Sequence, residues 1–321
     1  MTQTQGMPEA GTVADAVRGN WVDQVAPPWS RPWLRLSRAD RPIGTWLLLI
    51  PCFWAIALAA NTDGFRLHDL WLVIGCTLGA FLMRGAGCTW NDFTDREFDA
   101  QVARTRSRPL PSGQVTPKEA LVWMAAQAGV SLLILLTFPA AAIWLGVISL
   151  LPVAVYPFAK RFTWWPQVFL GIAFNWGALL AWAAHTGSLS LAPVLMYLAG
   201  ICWTLFYDTI YAHQDKEDDA LIGVKSTARL FAKKTHQWLQ GFMVATLLLL
   251  SLAVLVALVP AHAGGWQLLI ALCGVWGFGG HLAWQLLRLD IDDPDLCLRL
   301  FRSNRDAGLI VALFFAIAAL V

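Results

Sequence analysis

Charge is what this sequence has least of. Lys, Arg, Asp and Glu make up 14% of 321 residues, against roughly 25% in an average soluble protein. A soluble domain of this length needs a polar shell, and so few charges do not supply one. Intrinsic disorder is excluded as well, because 57% of the residues are hydrophobic and a disordered chain is poor in them. Cysteine offers no framework either: the six cysteines form no CxxC pair, and most fall in apolar stretches, where they read as small fillers. The first 30 residues lack the apolar core of a signal peptide and the Arg-rich, acid-poor character of a transit peptide. They are expected to be a flexible tail (1–30) before a membrane domain (31–321).

What is present is a series of long runs without charge. No Asp, Glu, Lys or Arg occurs in 42–62, 120–159, 162–207, 235–287 or 307–321. A bilayer core takes about 20 apolar residues per helix. The first run therefore holds one span. The next three hold two each, broken near Pro139, at 185–188 and at 260–265. A further span runs from Leu70 to about Asn91 and is interrupted by Arg84. The last run, 15 residues, is marginal. The expected fold is an all-α bundle of about nine transmembrane helices around a central cavity, or eight if the last stretch lies in the interface. With nine spans, 22 of the 23 Lys and Arg residues fall on the N-terminal side, Arg66 being the exception. By the positive-inside rule that side is cytoplasmic and the C terminus lies opposite. Several of the 18 tryptophans (Trp46, Trp71, Trp164, Trp165 and Trp266) sit near span ends, as in an interfacial belt.

The acids concentrate at two places. Span 2 ends in Asn91-Asp92-Phe93-Thr94-Asp95-Arg96-Glu97-Phe98-Asp99, and span 6 runs out through Tyr207-Asp208 to Asp215 and Asp219. Spans 2 and 6 run in the same direction, so both clusters emerge on the cytoplasmic side. On a continuing helix Asp92, Asp95 and Asp99 share one face, as do Asp215 and Asp219. Like charges at this spacing repel unless a cation lies between them. Hard oxygen donors suit Mg²⁺, which bridges carboxylates to substrate phosphates. Calcium is disfavoured by the absence of EF-hand spacing. Solvated acids at a membrane exit are the plain alternative. A cation or metabolite transporter is another, although transporters place such sites near the bilayer midplane.

These residues resemble the UbiA family of intramembrane prenyltransferases. Asn91-Asp92-x-x-Asp95-x-x-x-Asp99 is similar to its first Asp-rich motif and Asp215-x-x-x-Asp219 to its second. Leu82-Met83-Arg84-Gly85-Ala86-Gly87-Cys88, Arg108-Pro109-Leu110-Pro111-Ser112-Gly113, Tyr156-Pro157-Phe158 with Lys160-Arg161, and Gly223-Val224-Lys225-Ser226-Thr227-Ala228 resemble its other conserved stretches. The likeness covers about residues 33 to 320 and is strongest to the branch acting on 4-hydroxybenzoate in ubiquinone synthesis. The long N-terminal tail is a departure from it.

The resemblance implies a polyprenyl diphosphate donor, Mg²⁺ and an aromatic acceptor, with 4-hydroxybenzoate prenylated ortho to its hydroxyl. Another quinone precursor or haem is the alternative acceptor. A bacterial inner membrane is the expected site, and no nucleic-acid partner is expected. Asn91, Asp95 and Asp99 would hold one Mg²⁺ and Asp215 and Asp219 another, with Asp92 and Asp208 nearby. Metal ions neutralise a leaving diphosphate as Lewis acids. Arg96, Lys160, Arg161 and Lys225 are candidates to touch the phosphates. Arg84, a charge within a span, is a functional candidate by default. It would bind the acceptor's carboxylate, unless it only snorkels or pairs with an Asp. Asn175 is a second buried polar group, for substrate or for a helix–helix hydrogen bond. Tyr207 and Tyr211 would orient the acceptor. Asp208 would take a proton or serve the metal.

Overall fold

The computed structural model describes residues 16–17, 19–101, 105–216, 223 and 225–321. Among these there are helices and no strands. Eight helices are long and apolar enough to cross a membrane: α1 (Ile43–Asp63), α2 (Leu67–Asp99), α3 (Pro117–Leu135), α4 (Ala140–Phe162), α5 (Pro166–Thr186), α6 (Leu191–Ala212), α7 (Thr227–Leu258) and α8 (Gly265–Arg288). The chain is an integral membrane protein. A ninth helix, α9 (Pro294–Ala318), has 25 residues. Its first half carries Asp295, Arg299, Arg302, Arg305 and Asp306, so length alone does not make it a span. The expected nine thus resolve into eight apolar helices and one half-charged helix.

The helix ends follow local chemistry. At α3, Thr116 caps the first turn and Glu119 reaches back to the Thr116 N–H at 2.8 Å, a reciprocal pair that satisfies two orphan donors, with Pro117 at the first helical position. Proline interrupts α4, which is built of the segments Ala140–Ile148, Leu150–Val155, Tyr156–Phe158 and Ala159–Phe162. Pro152 and Pro157 lack the N–H that a continuous helix needs. Helix α5 breaks at Asn175, which joins Pro166–Phe174 to Trp176–Thr186. Asn175 therefore sits at a discontinuity, where an uninterrupted span was expected.

The chain divides into two compact units, Met1–Thr45 with Gly79–Leu133, and Trp46–Leu78 with Ile134–Val321. In the first, the short helices Trp21–Gln24 and Arg31–Leu36 precede the end of α2 and α3. Part of the expected tail is packed here: Val22 is fully buried and Asp23 pairs with Arg35 at 2.7 Å. Leu36, Leu110, Val115 and Ala120 form a core, with Trp33 and Trp123 against it. Ser37 donates to Gln127 Oε1 at 3.0 Å and accepts from Trp123 Nε1 at 2.8 Å. These bonds fix the chain entering α1 against α3.

The second unit is centred on aromatic rings. Trp54 of α1 stacks on Trp203 of α6 at 5.1 Å, with Phe278 of α8 edge-on to both. Trp54 Nε1 donates to the Gly308 carbonyl of α9 at 2.7 Å. A Cβ on Gly308 would lie 2.7 Å from the Trp203 ring, so only glycine lets α9 approach this closely. At the other ends of α1 and α5, the buried His185 ring has its two nitrogens 2.6 Å from Asp69 Oδ1 and 2.6 Å from Asp63 Oδ1. Arg66, the exception to the charge rule, donates to the His185 carbonyl and pairs with Asp63. It belongs to a polar clasp joining α1, α2 and α5.

Candidate active site

The first acidic cluster is built on the last turns of α2. Asp92, Asp95 and Asp99 are all buried, Asp92 completely, while Asn91 is half-buried. Buried carboxylates are held where a positive partner compensates them. Arg38 Nη2 donates to Asp92 Oδ1 at 2.6 Å. Arg108 Nη1 lies 2.9 Å from Asp99 Oδ2 and 3.5 Å from Asp92 Oδ1. Thr105 donates to the Asp99 carbonyl at 2.8 Å, which ties the loop bearing Arg108 to the end of α2. The other oxygen of Asp92, Oδ2, is buried without a hydrogen-bond partner.

Arg84 lies two turns before Asn91 on α2, with its guanidinium against Gly44 at the start of α1. A Cβ on Gly44 would come within 2.6 Å of two guanidinium nitrogens. Arg96 turns along its own helix: its guanidinium lies 5.1 Å from the Phe93 ring centre, with Glu97 at 3.4 Å and the Phe93 carbonyl at 3.2 Å.

In the second unit, Tyr207 is buried in α6. Its hydroxyl lies 3.0 Å from Thr204 Oγ1, and Thr204 accepts from Asn175 Nδ2 at 2.8 Å. Asn175 also donates to the Gly171 carbonyl at 2.9 Å. Its amide therefore ties the break in α5 to α6, and its Oδ1 is buried without a partner. Tyr207 and Tyr211 both pack on Phe301 of α9, at 5.8 and 4.6 Å between ring centres. Asp208 is half-buried on the same helix.

Three of the expected basic residues lie together. The Lys225 N–H donates to the Lys160 carbonyl at 3.4 Å, and Lys225 Nζ to the Phe162 carbonyl at 3.4 Å. Arg161 lies 5.1 Å from the Phe158 ring centre. Asp215 closes the short turn His213–Asp215 after α6. Its side chain, and the whole of Asp219, lie outside the described residues. The neighbouring His213 is pushed down to about 4, chiefly by burial and further by Lys216. Its imidazole is neutral at physiological pH, and its Nε2 lies 3.2 Å from Thr235 Oγ1.

Three contributors escaped the sequence reading. Arg38 reads as one positive charge among several in the segment before the first span, and Arg108 only as part of a flanking stretch. Their contacts with Asp92 span 54 and 16 positions, and no periodicity reports them. Thr204 is three residues before Tyr207, the spacing at which helix side chains meet, so that signal was present.

No cluster of three His, Cys, Asp or Glu side chains with metal-ligand geometry is formed among the described residues. The donor set nonetheless suits a hard divalent ion. Asn91, Asp92, Asp95 and Asp99 offer oxygen only, and Asp92 Oδ2 is an orphaned buried carboxylate oxygen, the kind of atom whose desolvation a cation offsets.

Residues 48–319 match the UbiA prenyltransferase family. The chain is 49% identical over 289 residues to a Bos taurus protein named 4-hydroxybenzoate polyprenyltransferase, mitochondrial, covering 90% of this chain and 75% of that one. It is 47% identical over 289 residues to the Homo sapiens protein of that name, with the same coverages. Two solved structures share the fold. One, an apo UbiA homologue from Aeropyrum pernix K1, has a TM-score of 0.65 at 22% identity, covering 86% of this chain and 96% of that one. The other, a UbiA homologue from Archaeoglobus fulgidus bound to DMAPP and Mg²⁺, has a TM-score of 0.66 at 19% identity, covering 89% and 97%.

Proposed function

The chain belongs to the UbiA prenyltransferase family, and from that premise we propose that it transfers a polyprenyl chain from its diphosphate to 4-hydroxybenzoate, at the ring carbon ortho to the hydroxyl. This is a step of ubiquinone biosynthesis. One observation carries the reading: a buried acidic row at the end of α2, in a chain nearly half identical, over nine-tenths of its length, to relatives named for this reaction.

The allylic C–O bond breaks with its electron pair leaving on the diphosphate, a C–C bond forms to the ring, and the ring carbon loses its proton. Mg²⁺ bound by Asn91, Asp92, Asp95 and Asp99, and by Asp215 and Asp219, would supply the neutralising charge for the leaving diphosphate. Lys160, Arg161, Lys225 and Arg96 are the proposed partners of the phosphate oxygens. Arg84 binds the acceptor's carboxylate through its planar fork. Tyr207, its hydroxyl held through Thr204, and Tyr211 orient the phenol. Asp208 takes the ring proton. The apolar surroundings exclude the water that would quench an allylic cation.

We place the enzyme in a bacterial inner membrane, N terminus and basic loops on the cytoplasmic side. The relatives named above are mitochondrial, so fractionation and terminal reporter fusions decide this point. The function is tested by giving purified protein one polyprenyl diphosphate and several aromatic acceptors, with Mg²⁺ or EDTA, and reading products by mass spectrometry. Mg²⁺-dependent prenylation of 4-hydroxybenzoate above the other acceptors is expected. Preference for another acceptor would move the assignment within the family.

A further inference from the structure

The charges around Asp92 are more specific than burial requires. One oxygen, Oδ1, faces two guanidiniums, Arg38 at 2.6 Å and Arg108 at 3.5 Å. The other, Oδ2, is buried and has no partner. Arg38 is itself buried, and its guanidinium is held from a second direction by the Arg35 carbonyl, which accepts from Nη1 at 3.3 Å. Its backbone has φ +59°, left-handed for a non-glycine residue, a strained conformation that persists where the surroundings demand it. The chain accepts that strain at the residue that reaches from the segment before α1 to the acidic row. Arg108 extends the arrangement by gripping Asp99 Oδ2 at 2.9 Å.

We propose that Arg38 and Arg108 are positioning residues for the divalent cation: they fix Asp92 through Oδ1 so that Oδ2 is presented as a metal ligand, and Arg108 orients Asp99 in the same way. The inference rests on the metal role proposed above for the acidic row. A carboxylate with one oxygen bound to guanidinium cannot rotate freely, and its second oxygen keeps one orientation. Groups that orient metal ligands through their far atoms typically govern about 10–100-fold in metal affinity. Asp92 alone would pay a desolvation cost for Oδ2, which the incoming cation offsets.

The test is direct binding of Mn²⁺, as a paramagnetic probe, to the purified full-length protein in detergent, read by electron paramagnetic resonance without turnover. Arg38→Gln is expected to weaken Mn²⁺ binding by about tenfold or more. Arg38→Lys, which keeps the charge but not the fork, should fall between Arg38→Gln and the parent. Arg305→Gln, an exposed pair with Asp306, should bind like the parent. Thermal unfolding in the same detergent identifies the folded fraction, and Arg38→Lys carries the test if Arg38→Gln does not fold. A smaller loss than about threefold in folded Arg38→Gln, or tighter binding, overturns the proposal, because a merely structural salt bridge would lower stability and leave Mn²⁺ affinity alone. Asp95→Asn separates the two levels. If it binds Mn²⁺ like the parent, the metal role of the row is wrong. If it loses Mn²⁺ while Arg38→Gln and Arg38→Lys keep it, only the positioning role is wrong.

Discussion

Gly44→Ala is a way to move Arg84 without removing it. A Cβ at Gly44 would lie 2.6 Å from Nε and Nη2 and 2.7 Å from Cζ of Arg84. Ordinary contacts begin near 3.5 Å, so the guanidinium must withdraw by about 1 Å. Because it is the far end of a flexible side chain, the fold tolerates the shift, and Ala in place of a helical Gly stabilises the backbone by roughly 0.5–1 kcal/mol. A misplacement of about 1 Å in a positioning group can cost up to about 100-fold. If Arg84 binds the acceptor's carboxylate, the apparent constant for 4-hydroxybenzoate should rise about 10–100-fold, and that for prenyl diphosphate should change less than about threefold. The assay is initial-rate transfer, varying each substrate with the other saturating. Arg84→Ala should cost roughly 2–5 kcal/mol of acceptor binding, and the double variant should be no worse than Arg84→Ala alone, since both changes act through one group. An unchanged acceptor constant in Gly44→Ala would remove Arg84 from the acceptor site. A rise in the prenyl diphosphate constant instead would assign Arg84 to phosphate.

Other outcomes follow from the same geometry. Asp95→Asn and Asp215→Asn should each abolish turnover in folded protein, as judged by thermal unfolding and transfer assay, and near-normal activity in either would remove that carboxylate from the metal set. Asp69→Ala strips one of two partners from the buried His185 ring and should destabilise by roughly 1–3 kcal/mol; thermal unfolding indistinguishable from the parent would show that the clasp adds nothing net. Thr204→Val keeps the shape but removes the hydroxyl between Asn175 and Tyr207. It should cost about 1–3 kcal/mol of stability and lower kcat more than either substrate constant.

The membrane architecture was legible because charge is expelled from lipid. The uncharged runs 42–62 and 235–287 contain all but the last residue of α1 and most of α7 and α8. Helix α9 was half legible: 307–321 showed its apolar end, but the charged turns from Pro294 read as loop, since composition does not record that a charged segment continues a helix. The break at Asn175 was missed because an apolar run looks the same whether its helix is continuous or kinked. At the first acidic cluster, the spacing of Asp92, Asp95 and Asp99 gave the shared face, since helix periodicity is local. Their partners Arg38 and Arg108 were not legible, because those contacts depend on how the chain before α1 and the loop after α2 fold back. The clasp was hidden for the same reason: His185 and Asp69 are 116 positions apart.

The proposed reaction makes a carbon–carbon bond at the ring position beside the hydroxyl. It is tested most directly by supplying 4-hydroxybenzoate deuterated at both ring positions flanking the hydroxyl, together with a polyprenyl diphosphate and Mg²⁺, and weighing the product. One deuterium should be lost, and one diphosphate released, for each prenyl chain gained. A product that keeps both deuterons, as an O-prenyl ether or carboxylate ester would, contradicts it.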